Sequence, residues 1–135
     1  MIRRATPEDL EAIARIQAGC PEAAQWPPGD YLRCDCRVAE LDGRVAGFAV
    51  FRRLGPGEAE ILNLAVDPDC RRRGVASDLL RGTLPDFPGR VFLEVRRSNP
   101  AAQRLYELFG FQITGVRPQY YSEPIETAVV MTLQS

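Results

Sequence analysis

Residues 60–80 read Glu60-Ile61-Leu62-Asn63-Leu64-Ala65-Val66, then Asp67-Pro68-Asp69-Cys70, then Arg71-Arg72-Arg73-Gly74-Val75-Ala76-Ser77-Asp78-Leu79-Leu80. The first block is mostly apolar and stops at an Asp-Pro pair, a residue with fixed φ and no backbone donor, which predicts a buried strand with an abrupt end. After the turn, Val75, Ala76, Leu79 and Leu80 recur at helical spacing. A strand, an arginine- and glycine-bearing turn and a helix therefore follow one another directly. The first backbone N–H groups of such a helix have no intrahelical acceptor, and its start favours an anion.

Two familiar phosphate-binding turns fail here. A Walker loop needs a lysine, and all 17 basic residues of this chain are arginine. A dinucleotide fingerprint needs three glycines at fixed offsets, whereas this turn holds Gly74 alone, with Ala76 two residues on. What remains is Arg-x-x-Gly-x-Ala over residues 71–76. By itself the pattern also fits a solvated arginine turn.

The chain has 135 residues, a length suited to one domain over residues 1–135 that needs no metal or disulfide staple. Its 17 basic and 18 acidic residues nearly cancel, which argues against nucleic-acid or membrane partners, although Arg71-Arg72-Arg73 suits a small polyanion. No apolar run approaches a membrane span and no signal-peptide core follows the N-terminus, so a cytoplasmic protein is expected. Cys20, Cys34, Cys36 and Cys70 are irregularly spaced, and reduced thiols are the expectation. Cys34-Asp35-Cys36 lacks zinc spacing and the chain has no histidine, so no metal is expected.

Upstream, a short strand over residues 2–5 leads to a helix capped by Thr6, with Pro7 at its first position and Leu10, Ile13, Ala14 and Gln17 on one face. Pro21 and Trp26-Pro27-Pro28-Gly29 confine any second helix, near residues 30–33, to a short one. Trp26 there suits either a substrate contact or a cover over a core edge. Residues 37–41 and 44–51 flank Asp42-Gly43, a hairpin signature. Downstream, residues 90–95 form a strand with Val91, Leu93 and Val95 on one face and Phe92 and Glu94 on the other. Asn99 caps a helix with Pro100 at its first position and Ala102, Leu105, Tyr106 and Phe109 on one face; Gly110 ends it. Strands over residues 111–116 and 127–133 close the chain. The order β, α, short α, β, β, β, α, β, α, β, β is that of a mixed α/β sheet with helices on its faces.

Together these segments resemble the GNAT N-acetyltransferase superfamily. The resemblance rests on Arg71 to Ala76, on Asn63-Leu64-Ala65-Val66-Asp67-Pro68 before it, on Leu93-Glu94-Val95-Arg96 and Ser98-Asn99, and on Leu105-Tyr106-Glu107-Leu108-Phe109-Gly110-Phe111. Within the superfamily, Arg117-Pro118-Gln119-Tyr120-Tyr121 and Glu126-Thr127-Ala128-Val129-Val130-Met131 are similar to the RimI-like branch, the ribosomal-protein-alanine N-acetyltransferases. The similarity covers residues 37–135 well and residues 20–35 poorly.

The resemblance implies the GNAT fold: a mixed, mostly antiparallel sheet of six to seven strands, splayed between the fourth and fifth, with about four helices. It implies acetyl-CoA as cosubstrate, no metal, and a protein N-terminus or a small amine as acceptor. Leu64, Ala65 and Val66 would offer backbone groups to the pantetheine and thioester. Arg72, Arg73, Gly74, Val75, Ala76 and Ser77 would wrap the pyrophosphate, and Asn99 would touch the pantetheine arm. Glu94 matches the general base and Tyr106 the general acid. Glu94 would otherwise be a rim glutamate paired with Arg96 or another arginine, and Tyr106 a packed core ring. Glu60 falls where histone-type members carry a catalytic glutamate, so it competes with Glu94. A small-amine acetyltransferase and a non-catalytic acyl-CoA sensor remain the other functional readings.

Overall fold

The computed structural model describes residues 1–122 and 125–135. Seven strands form one sheet: β1 (Ile2–Arg4), β2 (Asp35–Leu41), β3 (Arg44–Gly55), β4 (Glu58–Val66), β5 (Arg90–Arg96), β6 (Gln112–Ser122) and β7 (Ile125–Gln134). They lie in the order β1-β2-β3-β4-β5-β7-β6, antiparallel throughout except for the β4–β5 pair. Four helices flank the sheet: α1 (Leu10–Ala18), the short 3-10 helix Pro28–Arg33, α2 (Val75–Thr83) and α3 (Pro100–Leu108). Three-residue 3-10 turns stand at Pro7–Asp9, Pro68–Cys70 and Leu84–Asp86.

Local chemistry accounts for most boundaries. Asp42 and Gly43 both take positive φ, 54° and 78°, as a two-residue hairpin turn requires. Gly110, at φ 97°, ends α3 in the left-handed region. The closing strands run longer than the sequence predicts. Pro118 has no donor for a ladder, but β6 is an edge strand, and a register irregularity between Arg117 and Tyr121, with Gln119 at φ 56°, absorbs it.

Two apolar clusters sit on opposite faces of the sheet. One gathers Val75, Leu79 and Leu80 of α2 and Tyr106 of α3 over Phe51, Ile61, Val91 and Leu93. The other packs Ile13 and Ile16 of α1 with Tyr31, Phe48 and Val50. On α1 the buried set is Ile13, Ile16 and Gln17, while Ala14 is exposed, contrary to the predicted face. The buried stripe is Ile13, Ile16 and Gln17, continued by Cys20 past the helix end, at i, i+3, i+4 and i+7, and it is set by which side of α1 rests on Phe48 and Val50; Ala14 falls just outside it.

That start is tied down by charge. Asp9 Oδ2 accepts from Thr6 N and Arg3 Nη1, each at 2.8 Å, and Oδ1 accepts from Arg3 Nη2 at 2.9 Å. The Arg3 hydrogen bonds, followed by that of the Thr6 backbone, hold the buried Asp9 carboxyl down at about 2. A folded-state pKa below the unfolded one gives stability that is present above the unfolded value and is lost as pH falls through the folded one. Asp9→Asn is therefore expected to cost about 2 kcal/mol at pH 7 and to flatten the loss of stability between about pH 5 and 2. Urea unfolding of both proteins across that range measures it; parallel acid limbs would contradict the assignment.

Candidate functional site

The parallel β4–β5 pair is short. It is registered only from Glu58↔Arg90 to Ile61↔Leu93, and past those four pairs the strands part. A bulge in β4 stands where the pair ends: Val50 faces Asn63 and Phe51 faces Ile61, leaving Leu62 as the extra residue. The bulge also reverses which residues face which side. Before it, Ala59 and Ile61 pack on the α2–α3 face; after it, Leu64 and Val66 pack there while Ala65 turns to the α1 face. The uniformly buried strand predicted from composition is thus replaced by one whose alternate residues are half-exposed to the opening.

The cleft so formed measures about 1070 Å³ and passes through the sheet. Glu60, Glu94 and the segment 20–26 line it together with Tyr120 and Tyr121; Leu64, Val66, Asn99, Leu105 and Tyr106 line it towards α2 and α3. A smaller cavity of about 200 Å³, lined by Val66, Arg71, Arg72, Gly74, Ala76 and Ser77 among others, continues it at the start of α2.

Gly74 is the N-cap of α2, at φ 75°, and no side chain caps that end. The first intrahelical bond is Asp78 N to Gly74 O at 2.9 Å, so the N–H groups of Val75, Ala76 and Ser77 precede the helical ladder. Arg72 also takes positive φ, 64°, and this turns the chain under the cavity. A Cβ at Gly74 would meet nothing within 4 Å, so the position asks for glycine through its backbone angle and not through crowding. Of the predicted turn residues, Arg73 alone turns its side chain away, to Asp42 at 3.2 Å; Val75 is buried against the sheet. Uncapped donors, a positive dipole end and the Arg72 side chain suit a diphosphate.

Glu94 stands on β5 opposite the buried Val91, Leu93 and Val95, as its alternation predicts. Its partner is Arg117, whose Nη1 donates to Oε1 at 2.6 Å, while Arg96 pairs with Glu126 at 3.3 Å. Arg117 also stacks over Tyr120, 4.3 Å from the ring centroid. Oε2 of Glu94 is buried and makes no hydrogen bond of good geometry among the described residues, although the Tyr120 hydroxyl lies close to the carboxylate. A carboxylate oxygen left so is uncommon and suits a site awaiting a donor. Glu60 shares this face and is paired in the same way, through one oxygen, with Arg52 at 2.6 Å.

Tyr106 lies on the other side of the cleft, its ring edge-on to Phe111 at 5.5 Å. Burial, with a smaller contribution from Tyr121, pushes its phenol above the ordinary tyrosine value, so the hydroxyl stays protonated. Asn99 caps α3 by accepting Ala102 N at 3.2 Å, and its amide nitrogen is uncommitted among the described residues. The turn ahead of it is held by Glu126 Oε2, which accepts Ser98 N at 2.5 Å. Leu64 N–H is already taken by Asn63 Oδ1 at 3.0 Å, and the ladder that pairs Asp67 N with Ala46 O turns Ala65 N–H towards Phe48 of β3, so the donor β4 can offer the opening narrows to Val66.

Arg117, Tyr120 and Tyr121 were legible only as part of a motif; their place over Glu94 depends on the register of β6 and β7. Trp26 is 45% exposed on the cleft rim, contrary to a role as core cover. Among the described residues, no group of three or more His, Cys, Asp or Glu is arranged to hold a metal, and no helix is long and apolar enough to cross a membrane.

The family model described as Acetyltransferase (GNAT) family matches residues 7–111. N-alpha-acetyltransferase RimI of Mycobacterium tuberculosis is 44% identical over 107 residues, 71% of this chain and 67% of the relative. The ribosomal protein bS18-alanine N-acetyltransferase of Haemophilus ducreyi is 32% identical over 146 residues, covering 98% of this chain and 99% of that one. Several curated relatives are longer, and the chain spans 35% to 67% of their length. Among solved structures, Ard1 from Thermoplasma volcanium superposes with a TM-score of 0.90 at 33% identity, over 99% of this chain and 96% of that one. With this family match over most of its length and the parted β4–β5 pair that opens its cleft, the chain belongs to the GNAT acetyltransferase family.

Proposed function

We propose that the protein transfers an acetyl group from acetyl-CoA to the N-terminal α-amine of a protein, with a ribosomal protein of the kind its relatives are named for as the acceptor. The observation that carries the reading is that Glu94 and Tyr106 border one cleft from opposite faces of the sheet, and that the cleft continues into the uncapped start of α2. An acetyl-CoA diphosphate fits the donors of Val75, Ala76 and Ser77, and the bound molecule supplies an activated thioester. Asn99 is placed to steady the pantetheine arm.

The reaction forms a C–N bond and breaks a C–S bond. Two protons leave the ammonium nitrogen and one reaches the departing sulfur. Glu94, fixed by Arg117 and lining the cleft, removes protons from the amine directly or through one water. Tyr106 gives its proton to the thiolate and is recharged from solvent. The Val66 N–H, which faces away from β3, meets the carbonyl oxygen as negative charge develops on it. Incubating the purified protein with acetyl-CoA and an alanine-starting peptide, and following free thiol and acetylated peptide by mass, tests the reading. Acetyl-CoA binding with no thiol release would make the protein a sensor instead.

Tyr106→Phe removes one hydroxyl from a packed ring, so stability is expected to hold while kcat falls about a hundredfold. Thermal unfolding and steady-state rates check both halves. Normal turnover with an unchanged pH profile would return Tyr106 to the core.

A further inference from the structure

The segment 20–26 rims the cleft on the side of Glu60 and Glu94, yet it belongs to no helix or strand. Much of its backbone is held by side chains. Asn63 Nδ2 of β4 donates to Ala24 O at 3.0 Å, and Gln17 Nε2 of α1 donates to Trp26 O at 2.7 Å. Gln25 Nε2 closes the segment on itself, donating to the carbonyls of Gln17 and Cys20, both at 3.0 Å. The side chains that reach the rim from the core are locked to one another. Tyr31 donates its hydroxyl proton to Gln17 Oε1 at 2.6 Å, and its oxygen accepts from Asn63 Nδ2 at 3.0 Å.

Gln17, Tyr31 and Asn63 are 6%, 1% and 6% exposed, and they come from three different elements. A buried polar cluster in which every member is bonded is rigid, and its geometry is set by all members together. Burial of three polar side chains is not needed to hold α1 on the sheet, since Ile13 and Ile16 already pack there with Phe48 and Val50. Its distinguishing output is the position of two carbonyl-bearing rim residues, Ala24 and Trp26. Asn63 also engages Leu64 N–H, in the strand that borders the opening.

We infer that Gln17, Tyr31 and Asn63 are positioning residues for the acceptor: by fixing the 20–26 rim opposite Glu94 and Tyr120, they determine which N-terminal peptide the cleft admits. The inference rests on the acetyltransfer reading above. It predicts a division of labour in the cleft. Disturbing the network changes acceptor recognition and leaves the α2 turn, which receives the diphosphate from the other side, unaltered.

Tyr31→Phe keeps the ring and deletes the shared hydroxyl; Gln17→Met keeps an unbranched side chain of similar length and deletes the bonds to Trp26 O and to the Tyr31 hydroxyl. Each is expected to raise KM for an alanine-starting peptide about tenfold or more, since small displacements at a reacting pair are costly, with kcat changed less. Acetyl-CoA Kd by calorimetry should stay within about twofold, and the ranking of alanine-, serine-, glycine- and leucine-starting peptides should flatten. Backbone hydrogen exchange over residues 20–26 should rise in Tyr31→Phe ahead of the rest of the chain. Unchanged peptide KM and ranking in the folded Tyr31→Phe protein, or a loss of cofactor affinity in step with peptide KM, would overturn the inference. No thiol release by the unsubstituted protein with any of the four peptides would refute the acetyltransfer reading itself, a result seen before any variant is made.

Discussion

Glu94→Gln is expected to lower kcat/KM for an alanine-starting peptide about a thousandfold at pH 7, with acetyl-CoA binding unchanged, and the defect is expected to shrink as pH rises towards about 9. The amide keeps the shape of the side chain and leaves Oε1 able to accept from Arg117. What it loses is the ability to take a proton. An N-terminal α-amine titrates near 7.7 to 8.0, so at pH 7 most acceptor is ammonium and a base is needed to expose its lone pair. By pH 9 most of it is already neutral, which explains the expected recovery. Glu60 shares the face of the cleft and, like Glu94, gives one carboxylate oxygen to an arginine at 2.6 Å, so the preference for Glu94 rests on its place beside Arg117 and Tyr120, whose segment is similar to that of the RimI-like relatives. Glu60→Gln should therefore produce a modest effect that varies little with pH. Steady-state rates for both variants between pH 6.5 and 9 decide it, and a larger, pH-sensitive loss in Glu60→Gln would move the base to β4.

Gly74→Glu is expected to weaken acetyl-CoA binding at least about a hundredfold in a protein that still folds. Folding should survive because no heavy atom lies within 4 Å of the new Cβ, leaving only the backbone cost of a side chain at φ 75°. Binding should not survive, because the carboxylate arrives beside the N–H groups of Val75, Ala76 and Ser77. There it competes for the donors a diphosphate would use and repels the diphosphate's charge. Gly74→Asn separates the two effects: asparagine tolerates left-handed backbone and brings no charge, so its affinity should fall only a few-fold. Calorimetric titration of both variants with acetyl-CoA measures the difference. Equal affinity in Gly74→Glu and the unsubstituted protein would remove the α2 turn from the cofactor site.

The local signals were strong where one short stretch settles its own geometry. Asp42-Gly43, Asn99-Pro100 and Gly110 mark a hairpin, a helix start and a helix end because each meets a backbone demand few other residues satisfy. Alternation along residues 90–96 placed Glu94 on the face opposite Val91, Leu93 and Val95, and the spacing of Leu105, Tyr106 and Phe109 placed Tyr106 on the inner stripe of α3. The turn over residues 71–76 was legible locally only as a helix start; its expected role at a diphosphate came from the family resemblance, and the positive φ of Gly74 belongs to the structure.

Tertiary structure decided what depends on pairing between distant segments. The bulge at Leu62 reverses the faces of β4 only because Val50 and Phe51 of β3 are matched against Asn63 and Ile61, and nothing within residues 58–66 announces it. The register of β6 against β7 determines that Arg117 reaches Glu94 while Arg96 is left to Glu126; an arginine's partner lies beyond the range of a local pattern. Gln17 reads as part of the inner face of α1 and Asn63 as part of the Asn63–Pro68 segment, and no local pattern links either to Tyr31 of the 3-10 helix. They become one buried network only when α1 and the 3-10 helix close over the sheet, because a hydrogen bond in the core is specified by the packing of both its ends.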